Sequence, residues 1–571
     1  MAGHPHPGAH GLGGRLGNGF VGMMYREQSA LGGFTTRSGG RGRRPTVATP
    51  RGSKSRILAG AGAALVLGLV FLMPFAVRPG DTPAYYLGLT LFLLTLLPLV
   101  VRLMAGDLDV FEPIVPISLL IGLAFGIRAM YLVYDPSASF SARLARVSFD
   151  DFLGRALMMA LAAYCALLVG YYLVAAPAVR LLRDRPYVPR KTWPLRVNGA
   201  KILTLVAIAL FAMVVKVQMG ELAGPTGLDD VTSATFVLGV LSTLAQYAAC
   251  VLALHIAAGD DRPWLRLALW FGVLPLAGLQ ALAFGGKTPI LLALYTVMAA
   301  RHYAKRRLSV PLVAAGVIVA VLVVFPTVNA FRVPSDRALA ASSTAPSIQE
   351  FASKVTAIPS LFAGMRASEY ARFAAESVLG RANGVDSLAV IMKYGQAVDL
   401  GNPTAYWQIP LYAFVPRAIW PEKPIILTGT EFARLFVTPT EEGLREFPSI
   451  GVFHVGDLYA SFGASGVLIG MCLLGFLFRV VYQIFDPARS PDLGMKFLYI
   501  VLLWGIVNGF ESDIPTIYGN LLKSLAIWIV IKMWLNARAP RTAASYSPRG
   551  IRPSVVAPRP RARFTTANVQ R

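Results

Sequence analysis

The run Ile202-Leu203-Thr204-Leu205-Val206-Ala207-Ile208-Ala209-Leu210-Phe211-Ala212-Met213-Val214-Val215-Lys216-Val217-Gln218-Met219 decides the fold. It carries a single charge, Lys216. As a helix it extends about 27 Å, close to the roughly 30 Å hydrocarbon core of a bilayer. Lipid offers the backbone no hydrogen-bond partner, so a run of this kind is expected to close its own amides as a helix.

Comparable runs flank it on both sides. They predict spans near 57–77, 84–104, 113–134, 152–176, 202–219, 232–258, 264–283, 288–304, 309–329, 456–482, 495–510 and 516–535. Hydrophobic residues make up 55% of the chain and charged ones only 15%, well under the roughly 25% of an ordinary soluble domain. The expected fold class is an all-α polytopic integral membrane protein of about 12 transmembrane helices. Its expected organisation is a disordered basic tail (1–56), a block of about nine helices (57–329), a long loop (330–455), a block of about three helices (456–535) and a second disordered basic tail (536–571).

Charge orients this arrangement. Residues 1–56 carry nine Lys/Arg against one acid and residues 536–571 eight against none, which is most of the formal +24. Basic segments stay cytoplasmic, so both termini are expected inside. The basic 180–201 and 301–307 loops then fall inside. The 220–230 loop, with Glu221, Asp229 and Asp230, falls outside, and so does the long 330–455 loop. The tails lack interleaved aromatics, and attraction to a lipid surface accounts for them without nucleic acid. Cys165, Cys250 and Cys472 all lie inside spans, which argues against a disulfide framework or a cysteine zinc site. No apolar signal segment opens the chain, so the first span is expected to act as an uncleaved anchor.

In this topology Arg128, Arg155, Lys216, Lys287 and Arg332 gather toward the outer ends of their helices. Cations at membrane depth are costly and mark a pathway or site unless they snorkel to the headgroups. The expectation is that some of them line an anion-binding cavity opening outward. No acid stands at mid-span, and no internal repeat is evident, which counts against an ion-coupled carrier.

About 120 residues of outer segment are too many for a passive connection. Phe362, Met365, Tyr370, Phe373 and Val378 recur at near-helical spacing with Arg366, Glu369, Arg372 and Glu376 between them, the pattern of an amphipathic helix on the bundle or the leaflet. Further on, Val415-Pro416-Arg417-Ala418-Ile419-Trp420-Pro421-Glu422-Lys423-Pro424 carries three prolines that forbid regular helix. Arg417 offers a planar fork and Lys423 a compact charge for phosphate oxygens. Trp407 and Trp420 suit either stacking on sugar faces or anchoring at the interface. His454 and Asp457, three apart, can share one face of a helix start as base and orienting acid. No His-Glu-x-x-His, Asp-x-Asp, Walker or dinucleotide pattern appears, so no metal site and no cofactor are expected.

The order of three motifs across about 284–480 resembles the bacterial oligosaccharide repeat unit polymerases, the Wzy-type O-antigen and exopolysaccharide polymerases. The first is Phe284-Gly285-Gly286-Lys287-Thr288-Pro289 leading to a basic helix end at Arg307. The second is Arg332 just outside the next span. The third is the Pro-Arg-x-x-Trp-Pro-x-Lys-Pro run followed by Gly456-Asp457-Leu458-Tyr459-Ala460-Ser461-Phe462-Gly463-Ala464-Ser465-Gly466. Many relatives have Arg where this chain has Lys287.

The resemblance implies a GT-C-like bundle and a metal-independent glycosyltransferase in the bacterial plasma membrane. Such an enzyme joins polyprenyl-diphosphate-linked oligosaccharides at the outer face into a surface or secreted polysaccharide. It further implies a flippase and a chain-length regulator of the same pathway as partners. On this reading Arg417 and Arg332 bind the diphosphate, with Lys423, Lys287 and Arg128 in support. Trp420 and Trp407 stack on sugars, and His454 and Asp457 deprotonate or orient the acceptor. A ligase moving finished glycan, a lipid-linked-oligosaccharide flippase and a transferase using polyprenyl-monophosphate sugars are the rival readings.

Overall fold

A computed structural model describes residues 83–105, 108–135, 150–184, 195–218, 233–260, 262–283, 287–305, 310–330, 356, 359–360, 362–380, 382–395, 397–398, 400–415, 420, 428–437 and 450–537. It is 86% helical, with no strand among the described residues, as the apolar runs require. The helices are α1 (Pro83–Met104), α2 (Ile114–Tyr134), α3 (Leu153–Leu182), α4 (Gly199–Gln218), α5 (Val237–Ala257), α6 (Pro263–Leu282), α7 (Thr288–Lys305) and α8 (Ala315–Ala330). They are followed by α9 (Ala367–Leu379), α10 (Gly384–Tyr394), α11 (Pro403–Phe414), α12 (Phe453–Phe485), α13 (Leu493–Gly509) and α14 (Ile514–Asn536).

Among the described residues, eight helices are long and apolar enough to cross a membrane. They are α1 to α6, α12 and most of α14, and they make the chain an all-α, membrane-embedded protein. Shorter apolar helices, α8 and α13, stand at two more of the predicted positions. At another stands α7, which ends in Arg301, His302 and Lys305. The 57–77 run and both basic tails lie outside the described residues.

Two large apolar cores hold the bundle, with a small third cluster of Ala281, Val324 and Val328 between α6 and α8. One joins α1, α2, α3, α10 and α12 through Phe125, Tyr164, Leu388, Phe453 and Met471; the other joins α4 to α7 with α13 and α14 through Leu205, Leu252, Tyr303, Phe497 and Trp528. At one end of the bundle the short α1–α2 turn is tied down by its two acids. Glu112 accepts from Arg102 at 2.9 Å, Arg479 at 2.7 Å and Tyr171 at 2.8 Å. Asp109 accepts from the Tyr482 hydroxyl at 2.8 Å and lies 3.2 Å from His302. These are buried carboxylates with charged and phenolic partners, the condition under which burial of charge is tolerated.

The predicted straight span at 456–482 differs most from what is observed. α12 breaks at Gly463, whose φ of 69° and ψ of −162° lie in a region open only to glycine. Twelve residues of continuous helix would separate Leu458 from Gly470 by about 18 Å. Instead the Leu458 side chain packs within 2.5 Å of where a Gly470 Cβ would stand. The first part, 453–462, therefore folds back on the second, with residues 453–458 buried in the bundle.

Candidate functional site

The buried start of α12 meets the turn between α13 and α14. Phe453 N–H donates to the Glu511 carbonyl at 3.0 Å and His454 N–H to the Phe510 carbonyl at 3.3 Å. Phe453 itself takes φ 56°, a left-handed value rare for a bulky residue and the mark of a backbone held by its surroundings. The His454 ring leans on Phe510 at 4.6 Å, and its Nδ1 is 3.0 Å from the Ser512 carbonyl oxygen. A carbonyl only accepts, so Nδ1 carries the proton and the lone pair of the neutral ring sits on Nε2. The ring therefore keeps one defined acceptor nitrogen, Nε2.

One turn on, Asp457 is 2% exposed. Its Oδ2 accepts the Tyr406 hydroxyl at 2.5 Å and the Ile514 N–H, at the start of α14, at 2.9 Å. Asp513 is buried beside it. Burial first, and then the charge of Asp457, hold the Tyr406 phenol well above its ordinary range, with Asp513 adding to the effect. The phenol therefore stays a donor, and Asp457 links α11, α12 and α14 in one contact set.

The cations selected from the sequence divide. Arg128 on α2 directs Nε and Nη2 to the Asp386 carboxylate at 2.9 and 3.3 Å, and Nη1 to the Leu379 carbonyl at 3.2 Å. Lys287 donates to the Ser377 carbonyl at 2.9 Å and stands 3.8 Å over the Phe325 ring. Ser377 and Leu379 both belong to the last turn of α9, where carbonyls lack helical partners and the dipole favours positive charge. Two buried cations, one on α2 and one just before α7, thus cap the same helix end. A diphosphate reaching Arg128 would have to displace Asp386. Two buried atoms nearby, Ser377 Oγ and Asn383 Oδ1, have no hydrogen-bond partner among the described residues.

The remaining candidates are less defined. Arg332, Arg417 and Lys423 lie outside the described residues. Val415 is extended and Trp420 non-helical, so helix α11 stops where the prolines begin. Trp420 is half-buried, whereas Trp407 is 82% exposed on α11. The amphipathic pattern around 362–378 is α9 with its lead-in. Phe362 packs on Tyr370 and Phe373, the Arg366 N–H donates to the Glu369 carboxylate at 3.0 Å, and Arg372 pairs with Glu376 at 2.9 Å.

Sequence reasoning missed Asp386 and Tyr406. Asp386 is a single acid in a mostly apolar helix, and Tyr406 stands in the run that begins Asn402-Pro403. Nothing local marks either as a partner of a residue far along the chain. Among the described residues no three His, Cys, Asp or Glu come together in a way that could hold a metal ion.

Fold and site together define a polytopic helical membrane protein with a braced histidine and carboxylate at a helix break. No family model, curated protein or solved structure matches the chain.

Proposed function

We propose that this protein polymerises polyprenyl-diphosphate-linked oligosaccharide repeat units into a surface or secreted polysaccharide. It would do so at the outer side of a bacterial plasma membrane, with both termini cytoplasmic and a GT-C-like bundle of about 12 helices. The observation that carries the reading is the fixed tautomer of His454, held by the Ser512 carbonyl within the motif-bearing start of α12.

A hydroxyl of the incoming repeat unit attacks the anomeric carbon of the growing chain. The new C–O bond forms as the bond from that carbon to the diphosphate breaks, and polyprenyl diphosphate leaves with the electron pair. The hydroxyl proton passes to His454 Nε2. Such general-base help contributes about 10²–10⁴-fold. Asp457 keeps the half-helix docked on α14 through Ile514. Arg417, Arg332 and Lys423 stabilise the charge growing on the diphosphate, a contribution of several kcal/mol in a water-poor site. Arg128 and Lys287 act one step back, fixing α9 and, through Asp386, α10. On this reading Trp407 and Trp420 stack on sugars.

Reconstitution in liposomes with lipid-linked repeat units, read as a ladder on a gel, tests the proposal. Lengthening ladders are expected, falling about 100-fold or more in His454→Ala. A single transfer to a foreign acceptor would instead identify a ligase, and no lengthening at all would overturn the proposal.

A further inference from the structure

Below the fold-back, α3 and α12 touch almost backbone to backbone. A Cβ on Gly170 would come within 1.9 Å of the Cys472 carbonyl, and one on Gly475 within 2.2 Å of the Leu167 carbonyl. On the side of this crossing toward the start of α3, the two helices part around an open surface groove of about 580 Å³ lined by Ala162, Cys165, Ala166, Leu468, Ile469 and Leu473 among others. The volume falls within the usual range for a small-molecule site. Small side chains on α3 form its floor, and Ile469 and Leu473, each at least 60% exposed, form its wall.

The α3 face continues upward from the groove. Arg155, Met158, Ala162, Cys165 and Val169 follow one another at spacings of three and four, so they share one side of the helix. That stripe is about 21 Å long. It is apolar except at its end, where Arg155 is exposed, leans over the Phe152 ring at 5.1 Å and makes no ion pair among the described residues. α10 packs against both α3 and α12, so the stripe ends beside the helices that carry Asp386 and His454.

We infer that this groove binds the isoprenoid chain of a polyprenyl diphosphate, with Arg155 receiving the phosphate. Charge and shape agree on the class of ligand: Arg155 stands at the end of a long, narrow, apolar track, with Lys393 over the same Phe152 ring and held by Asp151, and such an end matches a single-chain lipid with an anionic head. The choice of an isoprenoid over a membrane phospholipid rests on the polymerase reading. Arg155, which takes no part in the proposed catalytic steps, then receives the head of a lipid lying on the α3–α12 side of the bundle.

The test uses the full-length protein in liposomes with a diazirine-bearing polyprenyl diphosphate, irradiated and mapped by mass spectrometry. Label is expected on residues 162–169 and 468–473. Unlabelled polyprenyl diphosphate should chase it away, and excess phosphatidylglycerol should not. Arg155→Gln, at an exposed position, should cut the yield roughly tenfold, the value of one charged hydrogen bond. Ala162→Phe should fill the groove and abolish labelling of the same peptides. Label elsewhere, equal competition by phosphatidylglycerol, or unchanged labelling in both variants would overturn the inference. Labelling needs no turnover, so the two proposals separate. Label in the groove without ladders would sink the polymerase and leave the site. Ladders with label elsewhere would do the reverse.

Discussion

Arg128 and Asp386, on α2 and α10, form a two-pronged ion pair with both side chains closed to solvent, Nε to Oδ2 at 2.9 Å and Nη2 to Oδ1 at 3.3 Å. The pair joins the first transmembrane core to the segment that shapes the candidate site. Ser387, next to Asp386, donates to the Gly451 carbonyl at 2.9 Å, three residues before His454.

Breaking that pair from one side leaves a buried charge without its partner. Arg128→Met or Asp386→Leu alone should each destabilise the protein by about 3–5 kcal/mol, and the double variant by less than either. Unfolding of the detergent-solubilised protein measures this. A double variant less stable than both single ones would count against the buttress role.

Lys287 should matter locally. Lys287→Met removes a cation from the end of α9 and from the Phe325 ring, a loss of about 1–2 kcal/mol. Hydrogen exchange should quicken across residues 367–379 and change little in α5. Uniform acceleration throughout the bundle would mean that Lys287 supports the whole fold instead.

Gly463 carries the break in α12. Gly463→Ala forces a side chain into φ 69°, ψ −162°, at a cost of about 1–3 kcal/mol. The variant should relieve this by straightening the helix, drawing Leu458 away from Gly470 and His454 away from the Ser512 carbonyl. Loss of glycan lengthening in a variant that still inserts and folds is the expected result. Full activity would show that the break is dispensable.

The start of α3 is tied to α10 by an exposed pair, Asp151 accepting from Lys393 at 2.8 Å. That hydrogen bond holds the Asp151 carboxyl below its usual range and raises the lysine. The tie is complete at neutral pH. It is lost as pH falls through the lowered Asp151 value, and again as pH rises through the raised Lys393 value. Exposure and salt keep its contribution small. Amide protection near Lys393 should be flat around neutrality and drop at both extremes, and Asp151→Asn should remove the acid-side drop. A drop that persists in that variant would assign it to another group.

Much of the architecture was legible because apolar length is a local property. Every predicted span from 84–104 onward has a helix at its position, and the amphipathic stretch around Phe362 and Phe373 is α9 and its lead-in. The pairing of cations was not legible. A charge inside an apolar run announces only that it needs compensation, and Asp386 lies far along the chain from Arg128. His454 and Asp457 were visible as a spaced pair. Their orientation toward Ser512 and Tyr406 depends on how α12 folds back.

By itself, then, the sequence determined that this is a helical membrane protein, because a bilayer accepts long apolar runs only as structures that satisfy their own backbone. It also determined where the unusual residues stand: the cations at helix ends, the histidine and aspartate three apart, the glycines around 463. Tertiary structure alone decided what those residues meet. Arg128 and Lys287 converge on one helix end, Gly463 turns a span back on itself, and Gly170 and Gly475 press α3 against α12 so that a groove opens beside them. Each outcome depends on contacts between distant segments, and such contacts form only where packing brings the segments together.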